Sequence, residues 1–97
     1  MICADEVYQT NIYCDRPFVS MKKVMHDLGA PYNQTELVSF HSTSKGLLGE
    51  CGLRGGYMEV ENLDPYVQSQ LLKLRSICLC SNSVGQIMVL NILNYIS

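Results

Sequence analysis

Three short clusters carry side chains able to do chemistry: Asp5-Glu6-Val7-Tyr8, Ser42-Thr43-Ser44-Lys45-Gly46 and Gly52-Leu53-Arg54-Gly55-Gly56. Between them they hold carboxylates, a phenol, hydroxyls, a primary amine and a guanidinium. Each adjoins a segment that reads as a strand, and forty positions separate Asp5 from Lys45, room enough for a helix between two strands. A carboxylate at the end of one strand and a lysine at the end of the next fit a ligand bound outside the carboxyl ends of an open α/β sheet. Taken singly, each residue has a plainer reading. Asp5 could be a cap or turn acid, Tyr8 a core aromatic, Lys45 a solvated charge and Arg54 a surface ion-pair partner.

The elements that must position these clusters follow from the apolar pattern. Met1-Ile2-Cys3-Ala4 is an apolar run stopped by Asp5-Glu6, as a buried strand stops where it leaves a sheet. From Pro17, the residues Phe18, Met21, Val24, Met25 and Leu28 recur at helical spacing, which predicts a three-turn helix that Gly29 and Pro31 end. Leu37 to Ser42 and Tyr57 to Val60 read as the second and third strands, with a glycine-rich loop between them. Asp64 before Pro65 is a cap followed by proline at the first helical position, and Val67, Leu71, Leu74 and Cys78 form an apolar stripe. Ser83-Val84-Gly85-Gln86 has capping-box spacing, and Ile87 to Ile96 is apolar nearly all round, so this last helix needs cover on several sides. The order strand, helix, strand, strand, helix, helix predicts an α/β core whose strands need neighbours from elsewhere.

Composition excludes several function classes. In 97 residues, 47% are apolar and 16% charged, a globular rather than a disordered balance. Seven Lys plus Arg against nine Asp plus Glu leave a net charge of -2, which offers no broad basic field for nucleic acid or anionic lipid. The five cysteines, Cys3, Cys14, Cys51, Cys78 and Cys80, are odd in number and lack C-x-x-C spacing, so buried reduced thiols are expected rather than disulfides or a metal site. The glycines match neither a dinucleotide fingerprint nor a phosphate loop of the G-x-x-x-x-G-K-[ST] type. Asp5 and Glu6 near the start argue against a signal peptide, and no apolar run has membrane-spanning length. A cytoplasmic setting is the default expectation, and Asn33-Gln34-Thr35 is a chance match to the glycosylation pattern.

Read together, ADEVYQ, SFHSTSKG and GECGLRGGY resemble the cofactor site of the class-I, fold-type I pyridoxal-phosphate-dependent aminotransferases, and the flanking sequence resembles the alanine aminotransferase family. The resemblance runs from Met1 to about Cys80 and includes FVSMKKVMHDLGAPY. It implies that residues 1–97 are a piece of a large cofactor-binding domain, with about three strands and three helices. It implies pyridoxal 5'-phosphate as cofactor and amino transfer from L-alanine to 2-oxoglutarate, giving pyruvate and L-glutamate. By the same resemblance Lys45 forms the Schiff base with the cofactor aldehyde and, once freed in its neutral form, moves the substrate proton. Asp5 pairs with the pyridine nitrogen, Tyr8 with the phenolic oxygen, and Arg54 clamps the phosphate through two parallel charge-assisted hydrogen bonds. Ser42 matches a phosphate-contacting serine, and Ser44 is a further cofactor-binding candidate. His41 is expected to pack near the strand end and His26 to lie on the surface.

The sequence departs from the family at Ser81-Asn82-Ser83, where a proline-containing turn is usual, so a looser junction between the last two helices is expected. The tail from Asn91 onward is also unfamiliar. The family supplies a second phosphate-binding loop, a ring-stacking aromatic and an asparagine from sequence before Asp5, and its substrate-carboxylate arginine from beyond this stretch. Its members are homodimers that share active-site residues. The expectation is therefore a truncated or partial reading frame, incomplete and inactive as an isolated chain, whose full-length parent is cytoplasmic or mitochondrial. Two alternatives stand beside it: an inactive fragment acting only by association with a full-length subunit, and a related enzyme with a different amino-acid substrate. The expected partners are a small amino acid and a 2-oxo acid, with no nucleic acid and no membrane.

Overall fold

In the computed structural model, which describes residues 1–96, three strands form one sheet in the order β1 (Ile2–Asp5), β2 (Leu37–Ser42), β3 (Gly56–Glu61). β1 runs parallel to β2, with Ile2 opposite Leu37 and Asp5 opposite Phe40; β3 runs antiparallel to β2, with Ser42 opposite Gly56 and Leu37 opposite Glu61. The helix between the parallel strands is α1 (Met21–Leu28), and α2 (Pro65–Arg75) and α3 (Ser83–Ile96) follow β3. Single 3-10 turns occur at Tyr32–Gln34 and Cys51–Leu53. The α/β architecture and its element order are those the apolar pattern predicts.

α1 is shorter than its periodicity suggests, because a cap decides where it begins. The Ser20 hydroxyl accepts a hydrogen bond from the Lys23 backbone N–H at 3.1 Å, and the Glu6 carboxylate accepts one from the Met21 N–H at 2.8 Å. Two of the unpaired donors of the first turn are thereby satisfied, and Pro17 to Val19 remain outside the helix. The helix stops at Gly29, whose φ of 68° most other residues avoid. α2 begins as predicted, with the Asp64 carboxylate accepting from Tyr66 and Val67 at 2.8 and 3.2 Å and Pro65 in the first position. It ends at Arg75, so Cys78 lies beyond it rather than on its stripe. At α3 the cap is Asn82, not Ser83: the Asn82 Oδ1 accepts from the Val84 N–H at 3.1 Å, while the Gln86 amide donates to the Ser81 carbonyl instead of closing a capping box.

The core is thin. Met25 of α1, Leu37 and Val38 of β2, Leu63 and Ile92 are its buried apolar side chains among the described residues. The face of the sheet that carries Leu37, Ser39, His41, Glu59 and Glu61 faces α1, where Lys22 pairs with Glu59 and Glu61 and His26 with Glu61. The opposite face leaves Phe40 and Met58 exposed, and Leu72 and Leu74 of α2 and Ile87 and Leu90 of α3 are more than half exposed. β1 alternates between half-buried and exposed positions instead of being buried on both faces. All five cysteines are exposed, which corrects the expectation of buried thiols: a three-stranded sheet with thin cover, Met25 on one side and Ile92 of α3 among the few buried side chains, has little interior to hold them. The radius of gyration is 14.9 Å, whereas a closed domain of this length would have about 12.5 Å.

The ion-pair group that seats α1 on β3 is sensitive to pH. The hydrogen bond to Glu59, then that to Glu61, holds the Lys22 ammonium above its ordinary value, and Lys22 followed by His26 holds the Glu61 carboxyl below the usual carboxylate range. The Glu61 contribution is therefore complete above the ordinary carboxylate pKa and is lost as pH falls through the lowered value; that of Lys22 is complete below the ordinary lysine pKa and is lost as pH rises through the raised one. Replacing Glu61 with Gln is expected to reduce stability at pH 7 and to make no difference once the medium is acid enough to protonate Glu61 in the folded chain. Urea midpoints of both forms across the acid range measure this.

Candidate functional site

Strand direction decides which chemistry meets. Because β1 and β2 are parallel, Asp5 and Ser42 end them at the same side of the sheet, and because β3 is antiparallel it starts there, at Gly56. The three clusters picked out by residue type thus leave from one end of the sheet. Asp5 is exposed, and one of its oxygens accepts from the Val7 N–H at 3.4 Å. Tyr8 is also exposed rather than core, in a turn whose Asn11 N–H bonds the Tyr8 carbonyl at 2.9 Å. Among the described residues, the Tyr8 hydroxyl and the Lys45 ammonium have no hydrogen-bond or ion-pair partner.

The turn that presents Lys45 is seated on the chain leaving β1. Gly46 has φ +51°, and a Cβ built on it would stand 2.2 Å from the Val7 carbonyl oxygen. Only glycine permits both that backbone shape and that approach. On its other side the turn is fastened to the residues before β3 by Thr43, which is fully buried. The Thr43 N–H and hydroxyl donate to the Gly55 carbonyl at 3.0 and 3.1 Å, and the Gly55 N–H donates back to the hydroxyl at 3.2 Å. Ser42 also works within this loop: its hydroxyl accepts from the Ser44 N–H at 3.0 Å and reaches the Gly55 carbonyl at 3.4 Å. His41 is buried and stacks on Tyr57 with ring centroids 5.7 Å apart, as its expected packing role requires. Burial, with Glu59 and Glu6 adding, pushes the Tyr57 phenol up from its ordinary value.

Arg54 caps the Cys51–Leu53 turn in the left-handed conformation, φ 50°, ψ 43°. Its Nη1 donates to the Cys51 carbonyl at 3.0 Å and to the Cys51 Sγ at 3.1 Å. A cavity of about 340 Å³ opens beside it, lined by Arg54, Gly55, Gly56, Arg75, Asn82 and Gly85, among others. The N-terminus of α3 closes one side: the Asn82 amide donates to the Leu53 carbonyl at 2.7 Å, and a Cβ on buried Gly85 would stand 2.8 Å from the same oxygen. Arg75 bonds the Ser81 hydroxyl at 2.6 Å, so the helix junction that lacks the family's proline is tied by side chains rather than loose.

Sequence reasoning singled out Asp5, Tyr8, Ser42, Ser44, Lys45 and Arg54, and all come from this end of the sheet. It gave no role to Thr43, Asn82 or Gly85. A glycine directly after Lys45 was a readable signal of a strained turn, whereas a small hydroxyl after a strand has too many ordinary uses to stand out. Gly46→Ala is expected to destabilise the chain by roughly 2 kcal/mol or more, since φ above zero and a backbone clash act together. Thr43→Val, which keeps the shape but removes the hydroxyl, is expected to cost about 1–3 kcal/mol by leaving the Gly55 N–H without its partner. Urea denaturation measures both.

No family model matches the chain. Among curated proteins it is 58% identical over 87 residues to alanine aminotransferase 1 of Homo sapiens, which takes in 88% of this chain and 18% of that protein. It is 52% identical over 91 residues to a probable mitochondrial alanine aminotransferase of Dictyostelium discoideum, covering 92% of this chain and 17% of the relative. It is likewise 52% identical over 89 residues to glutamate–glyoxylate aminotransferase 1 of Arabidopsis thaliana, covering 90% and 18%. The chain spans less than a fifth of the length of these relatives. Identity at this level over nearly all of its own residues makes the chain a homologue of the alanine aminotransferases, corresponding to one segment of them.

Proposed function

We propose that this chain is the segment of a pyridoxal-phosphate-dependent aminotransferase that carries the cofactor lysine, within its cofactor-binding domain, and that the protein it serves transfers an amino group from L-alanine to 2-oxoglutarate. The observation that carries the reading is that the stretches bearing a carboxylate, a phenol, an amine and a guanidinium all leave from one end of the sheet, with the amine and the phenol free of partners among the described residues.

The donor set fits the group. A carboxylate suits a protonated ring nitrogen, a phenol suits a ring oxygen, and a guanidinium suits a phosphate. Gly55 and Gly56 are needed for close packing beside Arg54: a Cβ on Gly55 would stand 2.8 Å from the Gly85 carbonyl oxygen, and one on Gly56 2.8 Å from that of His41. When bound, pyridoxal phosphate supplies an aldehyde and an electron-accepting ring. The rest falls to the chain. Lys45 holds the cofactor through its amine and, once displaced by a substrate, takes and returns the proton at the substrate α-carbon in its neutral form. Asp5 keeps the proton on the ring nitrogen. Tyr8 donates to the ring oxygen, and Arg54 grips the phosphate, with Ser42 and Ser44 at the loop beside it. Ser42 already bonds within the loop, so its contribution is to shape the turn as much as to touch the phosphate.

The substrate is a separate matter. The Arabidopsis glutamate–glyoxylate aminotransferase matches this segment as well as an alanine aminotransferase does, which favours a second reading in which the same machinery serves another amino acid. Residues that grip the cofactor do not choose the side chain of the donor. The small-molecule partners, a homodimeric assembly and a cytoplasmic or mitochondrial compartment belong to this proposal for the whole protein.

The test is chemical trapping. The chain is mixed with pyridoxal phosphate, reduced with borohydride and digested, and the modified lysine is located by mass spectrometry. Label confined to Lys45 and lost in Lys45→Ala is expected. Equal label on Lys22, Lys23 and Lys73 would overturn the assignment.

A further inference from the structure

We propose that Cys51 is a positioning residue for Arg54, holding one edge of its guanidinium so that the opposite edge is presented to phosphate. The inference rests on the proposed phosphate role of Arg54 and goes beyond it by naming what orients that side chain. A guanidinium carries five N–H donors in a rigid plane, two on each Nη and one on Nε. Nη1 makes two contacts with a single residue, the Cys51 carbonyl at 3.0 Å and the Cys51 Sγ at 3.1 Å. Nη1 is thereby turned toward Cys51. Nε and Nη2, which have no partner among the described residues, form the side-by-side fork that matches two oxygens of a phosphate.

The backbone reinforces the arrangement. The Arg54 N–H also donates to the Cys51 carbonyl, at 3.3 Å, closing the 3-10 turn, and the left-handed backbone of Arg54 turns the chain back over Cys51. The long arginine side chain is thus fixed at its root and at one edge of its head, and its rotamer freedom is reduced before an anion arrives. Preorganisation of this kind raises affinity by lowering the ordering cost of binding. The sulfur is the part of the clamp that substitution can remove, because the carbonyl remains in any variant. Serine at this position offers an acceptor of similar placement; alanine offers none.

Inorganic phosphate binding, followed by phosphorus NMR titration of the chain, reads the effect without catalysis. Four forms are compared: the parent, Cys51→Ala, Cys51→Ser and Arg54→Ala, with the double variant Cys51→Ala/Arg54→Ala closing the cycle. Cys51→Ala is expected to weaken phosphate binding by roughly fivefold to tenfold, the scale of one ordinary net hydrogen bond, as suits a weak sulfur acceptor. Cys51→Ser should recover most of that loss. In the Arg54→Ala background the cysteine change should have no further effect, because a residue acting through Arg54 cannot act without it.

A Cys51→Ala loss that persists undiminished in the Arg54→Ala background would mean a general structural role and would overturn the proposal. So would unchanged affinity in Cys51→Ala alongside a loss in Arg54→Ala; that outcome leaves the phosphate role of Arg54 intact. Arg54→Ala without effect, or a parent chain that does not bind phosphate, would instead remove the phosphate reading itself and this inference with it.

Discussion

The hydroxyl of Thr43, shut away from solvent, both gives and receives a hydrogen bond at Gly55, and the rest of the site depends on that exchange. It joins the turn bearing the amine to the loop bearing the guanidinium immediately beyond the last rung of the β2–β3 ladder. Gly46 makes the second join, against the backbone just past Asp5. Two contacts, one polar and one steric, therefore bring three stretches of chain together although fifty positions of sequence run from the first to the last. A polar bond buried in this way is costly to break, since neither partner can turn to water instead.

Much of this was legible in the residues. The strand at 37–42 had the right length and β-branched and aromatic content, and Asp64-Pro65 announced α2 through a mechanism that tertiary packing did not need to supply. The start of α1 was misplaced because periodicity marks a face, not an end: Phe18 fits the face, but Ser20 and Glu6 satisfy the first-turn donors only if the helix begins at Met21. Glu6 is fifteen positions away, so no local pattern could have shown it. The capping-box spacing points to Ser83 for a similar reason. Its neighbour Asn82 performs the task while also reaching Leu53, a long-range contact that sequence spacing does not reveal.

The cysteines teach the complementary lesson. Cysteine tends to be buried in finished domains, yet here every one is exposed, together with Leu72 and Leu74 of α2 and Ile87 and Leu90 of α3. Composition records the environment a residue suits; the structure records how much of that environment these residues build for themselves. The apolar content is that of a protein interior, but the cover α2 and α3 give the sheet is partial, and Phe40, Met58, Leu72, Leu74, Ile87 and Leu90 stay exposed. The chemistry-bearing end of the sheet is, by contrast, held locally by short-range hydrogen bonds and glycine contacts. The site residues are therefore better defined than the surfaces behind them.

Gly85 carries this contrast further. It sits in the first turn of α3 with no side chain, its backbone pressed against the carbonyls of Leu53 and Arg54. The helix and the arginine's turn therefore share one backbone-to-backbone seam. Any side chain at position 85 would have to displace either the first turn of α3 or the peptide that carries the guanidinium.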